Sequence, residues 1–354
     1  MLASKIPPSI GRIYLQKAGR SRPNSNIFLS SASNQFGSMF FKAAKRGDNA
    51  FFKYAITLTG VIVGAIIGQI PLAVYVSEEM RKEGMAAASS LDIYNLGLDQ
   101  NLLLALILLS FVGAFAGLYV GVRYFHFKQF RDILTGRPRF DWRRVAFGFL
   151  FWLGISLILE AISYALNPAV YELTFQPSSF ALLLLLALTL LPIQTTAEEA
   201  VFRGYLMQGL GLATRLPWVA LLLTSAAFGL LHFANLEVQA FGMGLMMTYY
   251  IGIGLLLGVV TLMDEGTELA VGIHAATNIY SATIVGYADA SLQTPALFKV
   301  SVLDAPLMLA VTFLAGALFL FIAARRFGWK DWGKLLRPIP REEDHDSTIS
   351  ITNQ

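Results

Sequence analysis

The chain has 354 residues, of which 55% are hydrophobic and 14% charged, with a net charge of +4. A soluble domain carries about 25% charged residues, so this composition excludes an ordinary soluble fold and points to an all-α, polytopic transmembrane helix bundle. Cysteine is absent, which excludes disulfides and thiolate-rich metal sites and leaves the redox compartment unreadable.

In chain order, residues 1–53 are basic, Ser-rich and almost free of acids. A basic cytoplasmic tail is the preferred reading, with a cleaved organellar transit peptide as the alternative. Apolar runs of roughly 20 residues, the length that spans a bilayer, follow at 54–76, 101–124, 145–166, 180–211, 217–235, 240–263, 268–287 and 306–324. About eight spans are therefore expected, three of them in an N-terminal group over 54–166. Gly60, Gly64 and Gly68 in the first run, and Gly113, Gly117 and Gly121 in the second, recur every fourth residue. That spacing lets two backbones approach closely in lipid and carries no chemistry. The fourth run is long and contains Pro192, which lacks a backbone donor and is expected to kink or break the helix. A cytoplasmic tail over 325–354 closes the chain. Its last part, REEDHDSTISITNQ, reads as disordered, so His345 is left out of any site. No internal repeat or nucleotide-binding loop stands out.

Lys and Arg are distributed unevenly between alternate loops. Residues 1–53 hold nine, 123–144 seven and 325–341 six, and Arg215 stands in the turn between the fourth and fifth runs. The alternate loops hold only Arg81, Lys82 and Lys299. The positive-inside rule then puts both termini in the cytoplasm, as an even number of spans requires. A multi-pass protein of the plasma membrane is expected.

Three strings place polar groups within these apolar runs: EEAVFR at 198–203, FGLLH at 228–232 and HAATN at 274–278. A charge at the centre of a bilayer costs roughly 2.5–3.5 kcal/mol on insertion scales, so a Glu pair, an Arg, two His and an Asn together read as a constructed site. Glu199 and Arg203 stand four apart in the favourable order for a helical ion pair, which leaves Glu198 as the free carboxylate and natural general base. Two antiparallel helices joined near residue 215 bring Glu198 and His232 to similar depth. Phe228, one turn before His232, shares its face and would wall the site from water. His274 and Asn278, four apart on one face, can donate hydrogen bonds to a developing negative oxygen. Zinc held by Glu198, His232 and His274 with a water is an alternative allowed by the residue types. The absence of an HExxH pair and the poor ligand quality of Asn favour metal-free chemistry. Glu160 reads as a packing or interface polar group, and Asp264–Glu265 as a solvated turn.

The ordered strings EEAVFR, FGLLH and HAATN resemble the motifs EExxxR, FxxxH and HxxxN of the CAAX prenyl protease and bacteriocin-processing (CPBP, or Abi) family of intramembrane peptidases. The resemblance covers about residues 180–290 and implies a catalytic core there, with a polar cavity among the C-terminal helices. It implies that Glu198 activates water with help from His232, that His274 and Asn278 stabilise the oxyanion, and that Glu199 and Arg203 support the site. It also implies membrane lipid and a membrane-associated, in some members prenylated, protein or peptide as partners, with no nucleic acid. Two other classes fit the residues: a non-enzymatic scaffold or bacteriocin-immunity protein that keeps the polar core, and a proton-coupled transporter. The transporter ranks last because inverted repeats with paired broken helices are not seen. One tension stands within the reading. His274 lies about seven residues and His232 about fourteen from the cytoplasmic ends of their runs, a difference in depth of roughly 10 Å.

Overall fold

The computed structural model describes residues 38–82, 84 and 93–340. The transit-peptide question at residues 1–37, and the C-terminal stretch 341–354 with His345, lie outside the described residues. The fold is overwhelmingly helical. Its helices are α1 (Met39–Ala44), α2 (Phe51–Lys82), α3 (Gln100–Val120), α4 (Arg131–Leu134), α5 (Trp142–Leu166), α6 (Pro177–Glu199), α7 (Met207–Thr214), α8 (Pro217–Leu231), α9 (Leu236–Phe241), α10 (Met243–Asp264), α11 (Glu268–Thr283) and α12 (Ala305–Phe327). Three short strands, β1 (Tyr171–Leu173), β2 (Val285–Tyr287) and β3 (Phe298–Val300), form a sheet of order β1-β3-β2, antiparallel at one edge and parallel at the other.

Among the described residues, six helical segments are long and apolar enough to cross a membrane: Phe51–Lys82, Gln100–Phe125, Trp142–Leu166, Pro177–Thr214, Met243–Asp264 and Ala305–Phe327. All eight apolar runs contain a helix, but α8 has 15 residues and α11 has 16. At 1.5 Å per residue they reach about 22–24 Å, short of a 30 Å hydrocarbon core. Pro192 does not break the fourth run, since α6 continues past it to Glu199. The irregularity comes later, in a π-helical stretch over Ala200–Leu206 that joins α6 to α7.

The glycine ladder sets the contact between α2 and α3. A Cβ on Gly64 would stand 2.1 Å from the Gly113 carbonyl oxygen, and one on Gly113 2.0 Å from that of Gly64. Real Cβ atoms do not come so close, so only glycine allows this approach. Helix α11 packs along α5 and α6, and α8 along α10. Capping is conventional: the Asp99, Asp141 and Asp304 side chains each accept a backbone N–H at the starts of α3, α5 and α12.

The basic segments gather at one end of the helices. Residues 38–53, read from sequence as part of a tail, pack onto the bundle: Phe40 and Phe41 are buried beside Met207, Leu221, Leu262 and Ile339. The turn after α10 is not solvated, which corrects the expectation for Asp264–Glu265. Asp264 is buried, pairs with Arg137 at 3.0 Å and with Arg144, and accepts the Trp329 indole N–H at 3.1 Å. Glu265 adopts left-handed backbone at φ 60° and holds Ser38 Oγ, the Phe40 backbone N–H and Lys334 Nζ. Local hydropathy reads such a turn as exposed. Here tertiary ion pairs bury it. At the opposite end, Glu160 of α5 accepts hydroxyl hydrogen bonds from Tyr171 and Tyr280, a packing role.

Candidate active site

The first motif straddles the junction between α6 and the π-helical stretch. Glu198 and Glu199 are the last residues of α6, and Arg203 sits in the π turn. π-Turns inside α-helices recur at functional sites because they re-aim side chains. Glu199 and Arg203 form the expected ion pair at 2.7 Å, with both side chains fully buried. The same Glu199 oxygen also meets His274 Nδ1 of α11 at 2.8 Å. A carboxylate only accepts, so Nδ1 carries the hydrogen. This fixes the ring and turns Nε2 toward Glu198, whose Oε2 lies 3.5 Å away.

Glu198 is not the partnerless carboxylate expected from sequence. Its Oε1 accepts a hydrogen bond from Gln194 Nε2 at 2.8 Å, one helical turn earlier. Its Oε2 is buried and makes no hydrogen bond. Gln194 Oε1 in turn accepts from Asn278 Nδ2 at 2.8 Å. A continuous polar chain therefore runs Glu198–Gln194–Asn278, beside a second chain Arg203–Glu199–His274. The two meet where Glu198 faces His274.

Phe228 in the last turn of α8 is 3% exposed and lies among the other groups. Its ring centroid is 4.8 Å from that of His232, 5.9 Å from that of His274 and 5.4 Å from that of Phe202. The Arg203 guanidinium sits over its face at 4.1 Å, a cation–π contact that further offsets a buried charge. The expected offset in depth between the two histidines therefore does not separate them, because one phenyl ring touches both. His232 lies just beyond α8, and its Nδ1 donates to the Phe228 carbonyl at 2.8 Å. Nε2 is then the nitrogen left to exchange a proton. Glu198, His274 and Glu237 all lie within electrostatic reach of the His232 ring.

Two neighbours escaped the sequence reading. Gln194 could have been found as the polar residue at i−4 from Glu198 in an apolar run. Tyr250 of α10 stacks on His232 with centroids 4.3 Å apart and planes 23° apart, and its hydroxyl accepts from Asn235 Nδ2 at 3.0 Å. Nothing in the sequence separates that tyrosine from ordinary core aromatics.

The cluster is partly open, since the Glu198 side chain is 14% exposed and that of His274 8%, while His232 and Asn278 are half-buried. Among the described residues, no three His, Asp or Glu side chains converge as a bound metal ion would require.

Residues 177–280 match a family model described as Rce1-like, type II CAAX prenyl endopeptidase. The interval contains all three motif strings. The uncharacterised protein YyaK of Bacillus subtilis (strain 168) is 33% identical over 177 residues, covering 47% of this chain and 56% of that protein. The chain thus spans little more than half the length of this relative. No solved structure matches.

Proposed function

We propose that the chain is an intramembrane endopeptidase that hydrolyses a peptide bond of a membrane-associated protein or peptide, using a water activated by Glu198. The observation that carries this reading is the Glu198 carboxylate. One oxygen is held by Gln194, and the other is buried without a hydrogen bond and faces His274 Nε2 at 3.5 Å. A carboxylate so anchored presents one basic oxygen in a fixed direction, which general-base catalysis needs.

In the proposed reaction Glu198 Oε2 takes a proton from water as the water oxygen bonds to the scissile carbonyl carbon. The resulting oxyanion is stabilised by N–H donors from His274 and Asn278. For His274 to donate from Nε2 it must carry both ring protons, and the Glu199 carboxylate beside Nδ1 offsets that charge. Collapse of the tetrahedral intermediate breaks the C–N bond. The proton held by Glu198, relayed through His232 Nε2, goes to the leaving amine. The Arg203–Glu199 pair, over Phe228, holds the frame. We place the basic end of the helices in the cytoplasm of a plasma-membrane protein, by the positive-inside rule.

The test is cleavage by detergent-solubilised protein of prenylated and unmodified peptides, with Glu198→Gln alongside and each run with and without a chelator. Cleavage abolished by Glu198→Gln and indifferent to chelator is the expected outcome. Loss on chelation would install the alternative zinc site. Full cellular function in Glu198→Gln would replace the enzyme with a scaffold.

A further inference from the structure

We propose that Gln194 is a positioning residue of the candidate site: its single amide sets the orientation of both the Glu198 carboxylate and the Asn278 amide. This rests on the peptidase reading above. The direction of each bond follows from elementary chemistry. An ionised carboxylate only accepts, so Gln194 must turn its NH2 toward Glu198 Oε1. Its carbonyl oxygen then faces Asn278, which must answer with its own NH2. One donor–acceptor choice at Glu198 thus propagates through Gln194 to fix which end of Asn278 is which.

The consequence lies at Asn278. An asparagine amide can present either a carbonyl oxygen or an N–H pair at much the same position. A carbonyl oxygen aimed at a developing oxyanion would repel it, whereas N–H would stabilise it. With one N–H of Asn278 held by Gln194, the second stays on the same nitrogen and is available to the reacting oxygen. Gln194 also anchors Glu198 by Oε1 and so leaves Oε2 as the oxygen that meets water. At 6% exposure Gln194 is itself buried. It sits on α6 while Asn278 sits on α11, so the link also ties together the two helices that carry the site.

Two experiments test this. In the first, Gln194→Met keeps length and apolar volume but removes both hydrogen bonds, and kcat and KM are measured on a peptide the wild type cleaves. The expected result is a kcat lowered about 10- to 100-fold with KM little changed. The double variant Gln194→Met/Asn278→Ala should be less impaired than the product of the two single effects, because the part of the Gln194 effect that acts through Asn278 is already lost in Asn278→Ala while the part that acts through Glu198 remains. An unchanged kcat, or effects that multiply in the double variant, would overturn the proposal. The second experiment needs no substrate. In protein labelled with 15N-asparagine, the Asn278 side-chain amide signal is identified by its loss in Asn278→Ala. It should shift and exchange with solvent faster in Gln194→Met. If that signal is unmoved, Gln194 does not order Asn278, whatever the chemistry. If it moves but Glu198→Gln still cleaves, the assignment of Glu198 as the base is what fails, and the positioning of that carboxylate falls with it.

Discussion

Glu199 and His274 are joined by a 2.8 Å contact between Oε1 and Nδ1, and the same oxygen holds Arg203 Nη1 at 2.7 Å. Adjacent glutamates therefore sit differently: Glu199 is locked in a fully buried ion pair, whereas Glu198 is partly exposed and bound only to the neutral Gln194 amide. Glu199→Gln should strand the Arg203 charge in the core and cost about 3–5 kcal/mol of stability. Glu198→Gln should change stability little and remove activity. Thermal unfolding of both variants in detergent, beside peptide cleavage, checks the division. Equal destabilisation by the two would sink it.

Tyr250 should matter through its ring. Tyr250→Phe keeps the stack on His232 and loses one hydrogen bond with Asn235, at a cost of about 1 kcal/mol. Tyr250→Leu also loses the stack, worth about 0.5–1.5 kcal/mol more, and leaves the imidazole free to turn. The expected order of kcat is wild type, then Phe, then Leu. A Leu variant as active as the Phe variant would show that the stack does not hold His232.

The contact between α2 and α3 should fail at its glycines. Gly64→Ala or Gly113→Ala drives a methyl group into backbone, and overpacking of this kind costs about 1–3 kcal/mol. Gly154 on α5 has nothing within 4 Å of its would-be Cβ. Gly154→Ala should therefore be neutral or slightly stabilising, since alanine is the better helix former. Melting temperatures of the three variants give a direct comparison.

Asp264 should be the keystone of the basic end. It balances Arg137 and Arg144 and receives Trp329. Asp264→Ala is expected to cost about 3 kcal/mol or more, and Trp329→Phe about 1 kcal/mol for its single hydrogen bond. An Asp264→Ala protein that melts with the wild type would show the turn to be solvated after all.

Lys128 carries a pH dependence outside the spans. It donates to the Ala44 carbonyl and to Asn49 Oδ1, both at 2.7 Å. Burial pushes its ammonium down to about 8, against about 10.4 in an unfolded chain. The unfolded state binds more protons between those values, so this group's contribution to stability improves as pH rises from about 8 to 10.4 and is least favourable below about 8. The melting temperature of the wild type relative to Lys128→Met should rise over that window. A difference independent of pH would count against the shift.

The sequence alone determined the membrane class, the predominantly helical fold, the basic partition of the loops and the three motif strings. Each depends on residues close together in the chain: runs of apolar side chains, spacings of four, clusters of Lys and Arg. The Glu199–Arg203 pair was legible for the same reason. The lengths of α8 and α11 were not, because apolar residues such as Phe233 and Ile284 continue the hydropathy beyond the point where the helix ends. Likewise Pro192 was expected to kink or break its helix, which passes it unbroken, and a π-helical stretch falls at Ala200–Leu206. Only the tertiary structure decided that Gln194 joins Glu198 to Asn278, that Tyr250 backs His232, and that Arg137 and Arg144 bury Asp264. The contacts of Gln194 with Asn278, Tyr250 with His232, and Arg137 and Arg144 with Asp264 each cross between separate elements, and the angle and depth at which helices cross are set by side-chain packing over the whole bundle, which local pattern does not encode.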